Sequence, residues 1–294
     1  MLTFGLILPT IRATSSPELI EAAAETAERL GWNAVWTTDH LLVPRSLEAE
    51  YGRAYEAIVT LGWVGARNPT LQLGISVVVV PMRNAVVLAK ELATLDDLSG
   101  GRLLAGVGVG WVEAEFANVG VGDRFHQRGA YLDETIRLWR HLWSGSGEPF
   151  EGPFHRFTDF AFEPLPVRRD ATPIVVGGRS PAALKRAGAL ADWYQSTGTG
   201  PSAFAERIEA LRSAATQAGR PMPRLSARVR ATFDRGEHPE AVLGGDPPAI
   251  VEKVRAFEAV GVEDLAIAFE TDGDPDALGR TIERFDAEVV RALG

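Results

Sequence analysis

This 294-residue chain predicts an α/β fold, a closed (β/α)8 TIM barrel with an insertion before the fifth strand. Three observations carry that expectation. Eight strand-length apolar runs alternate with eight helical patterns, the strands are apolar on both faces, and four helix starts repeat one capping device. Continuous apolar strands are what a parallel sheet covered on both sides requires. Strict alternation fits closure better than an open doubly wound sheet. Barrels of this class use such a length as one domain, so residues 1–294 read as a single unit.

The elements follow in order. Strands are expected at residues 2–8, 34–37, 71–80, 103–107, 174–176, 193–196, 225–232 and 265–269. Helices are expected at 17–30, 55–66, 85–98, 126–143, 181–190, 202–218, 248–260 and 275–293. Ser16-Pro17, Ser180-Pro181, Asp246-Pro247 and Asp274-Pro275 each set a side-chain acceptor at a cap and proline in the first turn. Gly31, Gly188 and Gly261 are placed as helix stops. In the third strand the four valines from Val77 to Val80 read as core. Ser76 is the odd residue there, facing a ligand or marking a bulge. The fourth strand runs into Gly106-x-Gly108-x-Gly110 and Trp111. Glycines at alternate positions bare one face of a strand end, either for a cofactor ring or to relieve crowding. The residues alone leave both uses open. Residues 144–172, rich in Gly, Pro and Phe, read as an insertion, a hairpin carrying Phe150, Phe154, Phe157 and Phe160.

Composition removes several classes of function. At 46% hydrophobic and 23% charged, the chain is ordinary globular material. Without cysteine it has no disulfide or thiolate chemistry, and a metal would need His and carboxylate ligands; none is expected. A net charge of −9 with no basic stripe argues against nucleic acid or an anionic membrane. The first apolar run lacks a basic leader and a cleavage site, and no stretch nears the ~20 apolar residues of a membrane span. The expectation is a cytoplasmic protein acting on a small molecule.

In a barrel, chemistry belongs where strands end and helices begin. The second strand finishes as Thr37-Thr38-Asp39-His40, a carboxylate beside an imidazole suited to proton transfer. The plainer alternative makes Asp39 a turn cap and His40 polar surface. The fifth strand finishes as Gly177-Gly178-Arg179-Ser180 before a helix, which combines free N–H groups, a dipole end and a guanidinium for one phosphate. Ser196, Thr197 and Thr199 add hydroxyls after the sixth strand. There is no Walker motif and no Rossmann fingerprint.

Four stretches together resemble the luciferase-like monooxygenase superfamily, and within it the coenzyme F420-dependent oxidoreductases. They are WTTDH at residues 36–40, LGISVVVVPMRN at 73–84, LSGGRLLAGVGVGW with the trailing Glu115-Phe116, and PIVVGGRSPAAL at 173–184. The family's fold is a (β/α)8 barrel with an insertion. The resemblance implies a deazaflavin or flavin ring in the mouth, backed by the third strand, where Ser76–Val77 matches a cis peptide often found in members. It also implies that Asp39 and His40 contact the ring and handle a proton, and that Gly177, Gly178 and Arg179 cradle the phosphate. Ser196 and Thr197 would add contacts, and Gly108, Gly110 and Trp111 would wall the cofactor's tail. The implied activity is hydride transfer between F420 and a small apolar or aromatic substrate. An alanine- and arginine-rich composition of high-GC actinobacterial type supports the F420 branch. FMN with dioxygen, as a monooxygenase, is the alternative, and a non-catalytic flavin-binding barrel is a further one that the Asp39-His40 pair disfavours. After His40 the chain reads Leu41-Leu42-Val43-Pro44, without the tryptophan of sugar-phosphate-oxidising members. The substrate face would instead draw on Tyr51, Tyr55, Phe125 and the aromatic insertion. Relatives are often dimers, so helix 55–66 or 85–98 is the expected homodimer surface.

Overall fold

Eight parallel strands close into a ring. The structure, a computed structural model, describes residues 2–233 and 242–294. The strands are β1 (Thr3–Ile7), β2 (Ala34–Thr37), β3 (Gln72–Ile75), β4 (Leu103–Gly108), β5 (Ile174–Gly177), β6 (Trp193–Thr197), β7 (Arg224–Thr232) and β8 (Asp264–Phe269). Each pairs with its successor, and β8 pairs back onto β1, so the sheet has no open edge among these strands. The principal helices are α1 (Pro17–Arg29), α2 (Ala57–Arg67), α3 (Ala85–Leu98), α4 (Arg128–Trp143), α5 (Pro181–Leu190), α6 (Pro201–Gln217), α7 (Pro247–Ala259) and α8 (Pro275–Phe285). No helix among the described residues is long and apolar enough to cross a membrane.

The capping device works as the sequence suggests. Ser16, Ser180, Asp246 and Asp274 each accept a backbone N–H from the first turn of their helices. Gly31 and Gly261 follow α1 and α7 with φ of 75° and 89°, the left-handed region that glycine enters without strain. Gly188 is no stop. It lies inside α5, where a β-carbon would sit 2.7 Å from Ala214 and from the Leu211 carbonyl, so its absence lets α5 and α6 cross closely. The last helix is shorter than the pattern implies, since residues 286–290 widen into a π turn and 291–293 tighten into a 3₁₀ turn.

Side chains alternate between two cores. Outward positions meet the helices. Inward ones include Ile7, Trp36, Leu104, Val175, Trp193 and Ala266, which pack as a separate interior cluster. Trp36 fills the barrel beneath the mouth. A β-carbon on Gly5 or Gly74 would lie 2.6 or 2.2 Å from its ring, so those two glycines make its room.

The third strand breaks where the sequence flags Ser76. The Ser76–Val77 peptide is cis, and pairing resumes with Val78–Val79 against Val107 and Gly108. The displaced chain explains the glycine track: a β-carbon on Gly106 would fall 1.5 Å from the Ile75 carbonyl oxygen. One on Gly108 or Gly177 would meet the Val77 side chain at 2.3 or 2.5 Å. These glycines do relieve crowding, and the crowding group is the bulged strand itself. The insertion carries the expected hairpin, Phe150–Glu151 antiparallel to Arg156–Phe157, with stacked Phe150 and Phe157 rings. Glu134 on α4 holds it, accepting from Phe154 N at 3.1 Å and pairing with His155 Nδ1 at 2.8 Å.

Candidate active site

The loop after β2 carries His40 to the mouth, where it meets an acid from the short helix Glu113–Asn118. His40 Nδ1 lies 3.0 Å from Glu115 Oε2, both side chains being buried. The Leu41 amide donates to Glu115 Oε1 at 2.6 Å. Burial pushes the Glu115 carboxyl upward, but His40 and the amides of Leu41 and Leu42 outweigh it and hold the group below its ordinary value. An ionised Glu115 accepts from Nδ1–H, which fixes the tautomer assigned to His40 and leaves Nε2 to receive or give a proton. Tyr51 covers the imidazole at 4.4 Å between ring centroids, and Trp111 stands edge-on to Tyr51 at 6.2 Å. Trp111 itself is largely exposed.

Asp39 does a different job. Its Oδ2 accepts the Val79 amide at 2.9 Å, and its Oδ1 accepts Arg83 Nη2 at 2.6 Å. Arg83 reaches Glu56 at 2.8 Å as well. Burial alone would lower the Arg83 pKa, yet Asp39 and Glu56 raise it above the ordinary arginine value. The carboxylate of Asp39 is therefore spent on tying the β2 loop to the chain beyond the bulge.

Gly177, Gly178 and Arg179 lead into the N-terminus of α5. Tyr194 O–H donates to the Gly178 carbonyl at 2.8 Å, which steadies the turn, and Gly178 has φ 132°. Arg179 and Thr197 line a cavity of about 940 Å³ at the mouth, with Leu8, Tyr51, Arg228, Phe269 and Leu278 also on its wall. That size suits a cofactor and a small substrate together. Ser196 does not face it freely. Its buried hydroxyl donates to Thr199 Oγ1 at 2.7 Å and accepts from Arg207 at 2.9 Å. Asp39, His40, Ser76, Val77, Gly108, Gly110, Trp111, Gly177 and Gly178 are not among the residues that line this cavity. Among the described residues no cluster of three His, Asp or Glu side chains is arranged to hold a metal.

Beneath the bulge a polar chain crosses the barrel interior. Ser76 Oγ donates to Gln195 Oε1 at 2.5 Å, Gln195 Nε2 to Ser226 at 3.1 Å, and Ser226 to Asp264 at 2.7 Å. Thr3 donates to the other Asp264 oxygen at 3.1 Å. Burial raises the Asp264 carboxyl to about 6, against the lowering by Ser226, Thr3 and Arg224. Its ordinary value is about 3.9, so ionisation costs more in the folded chain than in the unfolded one. The favourable contribution is whole below pH ~4 and is withdrawn as pH rises through ~6, a loss of about 3 kcal/mol. Urea unfolding of the wild type and Asp264→Asn at pH 4 and pH 7 reads this directly. The difference between the two proteins should shift by about that amount against the wild type at pH 7, and a constant difference would refute it.

Sequence reasoning reached Asp39, His40 and the glycine turn but missed Glu115, Arg83, Gln195, Arg228 and Asp264. The last three had a signal: polar residues at inward positions of otherwise apolar strands. The partnership of Glu115 with a histidine 75 residues away had none.

Residues 2–243 match the family model described as luciferase-like monooxygenase. The F420-dependent glucose-6-phosphate dehydrogenase of Kineococcus radiotolerans is 29% identical, over 92% of this chain and 84% of that protein. The FMNH(2)-dependent dimethylsulfone monooxygenase of Pseudomonas putida is 28% identical over 84% of this chain and 69% of its own length. Among solved structures, the coenzyme F420 dependent tetrahydromethanopterin reductase of Methanopyrus kandleri superposes with a TM-score of 0.81 at 17% identity. That match covers 100% of this chain and 99% of the reductase. The chain belongs to the luciferase-like monooxygenase family and is an oxidoreductase of that kind.

Proposed function

We propose that this protein is an F420-dependent oxidoreductase that moves a hydride between the deazaflavin and a small apolar or aromatic organic substrate. The observation that carries the reading is the buried His40–Glu115 pair directly behind Tyr51, whose ring lines a roomy mouth. When bound, F420 supplies a carbon-centred two-electron hydride site that does not activate dioxygen. The chain's own part is to hold the ring, shape the substrate and move one proton. Glu115 keeps the imidazole oriented, and His40 Nε2 gives or takes the proton of the substrate hydroxyl or carbonyl that accompanies the hydride. The bulge at Ser76–Val77 forms the backing for the ring, and Asp39 positions that bulge through the Val79 amide. Gly108, Gly110 and Gly177 act through the seating of Val77 and Val79. Gly178 and Arg179 take the phosphate at the start of α5, Thr197 adds a hydroxyl, Ser196 braces that loop, and Trp111 shields the outer side. The absence of a tryptophan after His40 argues against a sugar phosphate as substrate, and Ile7, Leu8, Phe269 and Leu278 give the mixed wall an apolar strip.

FMN is the second reading, favoured by the likeness to the Pseudomonas putida monooxygenase. An absorbance titration separates the two. Retention of a single violet-blue band supports F420, a two-band flavin spectrum transfers the protein to oxygen chemistry, and retention of neither removes the redox reading. Arg179→Ala should weaken cofactor binding by about 1.5–3 kcal/mol, the worth of a charge-assisted phosphate contact. A fluorescence titration showing unchanged affinity would take Arg179 out of the cradle. A homodimer closing on α2 and α3, where Val59, Val86 and Val87 are exposed, is part of the same proposal; a monomer in light scattering would end it.

A further inference from the structure

Arg228 is an arginine of the mouth cavity with most of its hydrogen-bonding capacity unused. It projects from an inward position of β7 onto the wall of the mouth cavity, half-buried. Its Nη1 donates to the Ser76 carbonyl and lies 3.4 Å from the Ser76 hydroxyl. Its other guanidinium nitrogens have no protein partner among the described residues, and it forms no ion pair there. Arg230, the next inward residue on the same strand, is matched by Glu270 at 2.5 Å. Arg83 and Arg186 are likewise paired with carboxylates. A half-buried cation that no carboxylate contacts is costly, and folded chains keep such groups where a ligand supplies the missing charge.

The surroundings define what that ligand is. Burial lowers the Arg228 pKa to about 10, Arg230 adding to the effect and Tyr51 opposing it, so the guanidinium stays charged at neutral pH. Its forked N–H groups match a planar oxyanion better than a point charge would. Tyr51, beside Arg228, is the ring that also covers His40, so the cation and the proton-handling imidazole flank one aromatic side chain. The cavity wall also offers an apolar strip, Ile7, Leu8, Ala268, Phe269 and Leu278, beside polar residues that include Thr10, Glu270 and Asp272.

We propose that Arg228 is the receptor for a carboxylate or sulfonate on the substrate, so that the substrate is an apolar or aromatic organic acid. The acid group is held on β7 and its apolar body lies along β1 and β8, which leaves the oxidisable carbon on the His40 side of Tyr51. This rests on the redox reading only for calling that acid a substrate. The anion receptor itself stands on Arg228.

The test uses two matched pairs of ligands, benzoate with benzamide and hexanoate with hexanamide, titrated calorimetrically into the full-length protein at constant ionic strength. Both the cofactor-free and the F420- or FMN-incubated protein are measured. At least one acid should bind the wild type about tenfold or more tightly than its amide, and Arg228→Met should erase that preference. Arg228→Lys, which keeps the charge, should retain part of it and serves if the methionine variant fails to fold. Equal affinity for acid and amide in both pairs, or an acid preference that survives Arg228→Met, overturns the proposal. So does a loss confined to cofactor affinity, which would assign Arg228 to the ring's own carbonyl edge. Acid selectivity in a protein that retains neither cofactor would sink the redox reading and leave the receptor standing. Cofactor retention without acid selectivity would do the reverse.

Discussion

His40→Ala is expected to lower kcat by about 10²- to 10⁴-fold, the usual worth of a positioned general acid or base, with cofactor affinity nearly unchanged. The reason lies in how the imidazole is held. Glu115 binds Nδ1 at 3.0 Å and is itself anchored by the Leu41 amide, so Nε2 is the nitrogen left for proton exchange. Glu115→Gln offers a graded companion: an amide oxygen still accepts from Nδ1–H but carries no charge to favour the imidazolium. Its turnover should fall less than that of His40→Ala, since the imidazole keeps its orientation. Single-turnover absorbance of the bound cofactor would follow both. Unchanged turnover in His40→Ala would remove this residue from the mechanism.

The second large effect is on stability. Asp39→Ala leaves the Val79 amide without its acceptor and Arg83 with Glu56 as its only carboxylate. Breaking a buried pair from one side typically costs 3–5 kcal/mol, and the remaining Glu56 places the expected loss near ~3 kcal/mol. Asp39→Asn keeps an acceptor for the amide and should recover part of it. Urea denaturation without cofactor is the decisive measurement. Undiminished stability together with impaired cofactor binding would mean that Asp39 touches the ring directly and is no brace.

The barrel was legible because its signals are local: apolar runs, Ser-Pro and Asp-Pro starts, and glycine after α1 and α7. Gly188 misled because helix-stop glycines and helix-crossing glycines look alike without knowledge of what packs against them. The third strand's expected range crosses Ser76–Val77, and the resemblance, not the β-branched run itself, matched that bond to a cis peptide, which is how the structure has it. The mouth was half legible. Asp39 and His40 sit at a strand end in plain view, but which of them faces the chemistry depends on Arg83 and Glu115, each contributed by a distant loop. Adjacency in sequence suggested one dyad, whereas the fold ties Asp39 to Arg83 and the Val79 amide and pairs His40 with Glu115.

The seat of Val77 has a bearing on how this enzyme can be diversified. Positions 106, 108 and 177 admit no side chain because the strand's detour already occupies that space. New specificity has to be grafted at the periphery, on the segments following β1 and β8 and on the two small helices near Tyr51 and Trp111. Combinatorial libraries that randomise those four regions should yield folded variants with altered preference, while libraries aimed at the glycine seat should return insoluble protein.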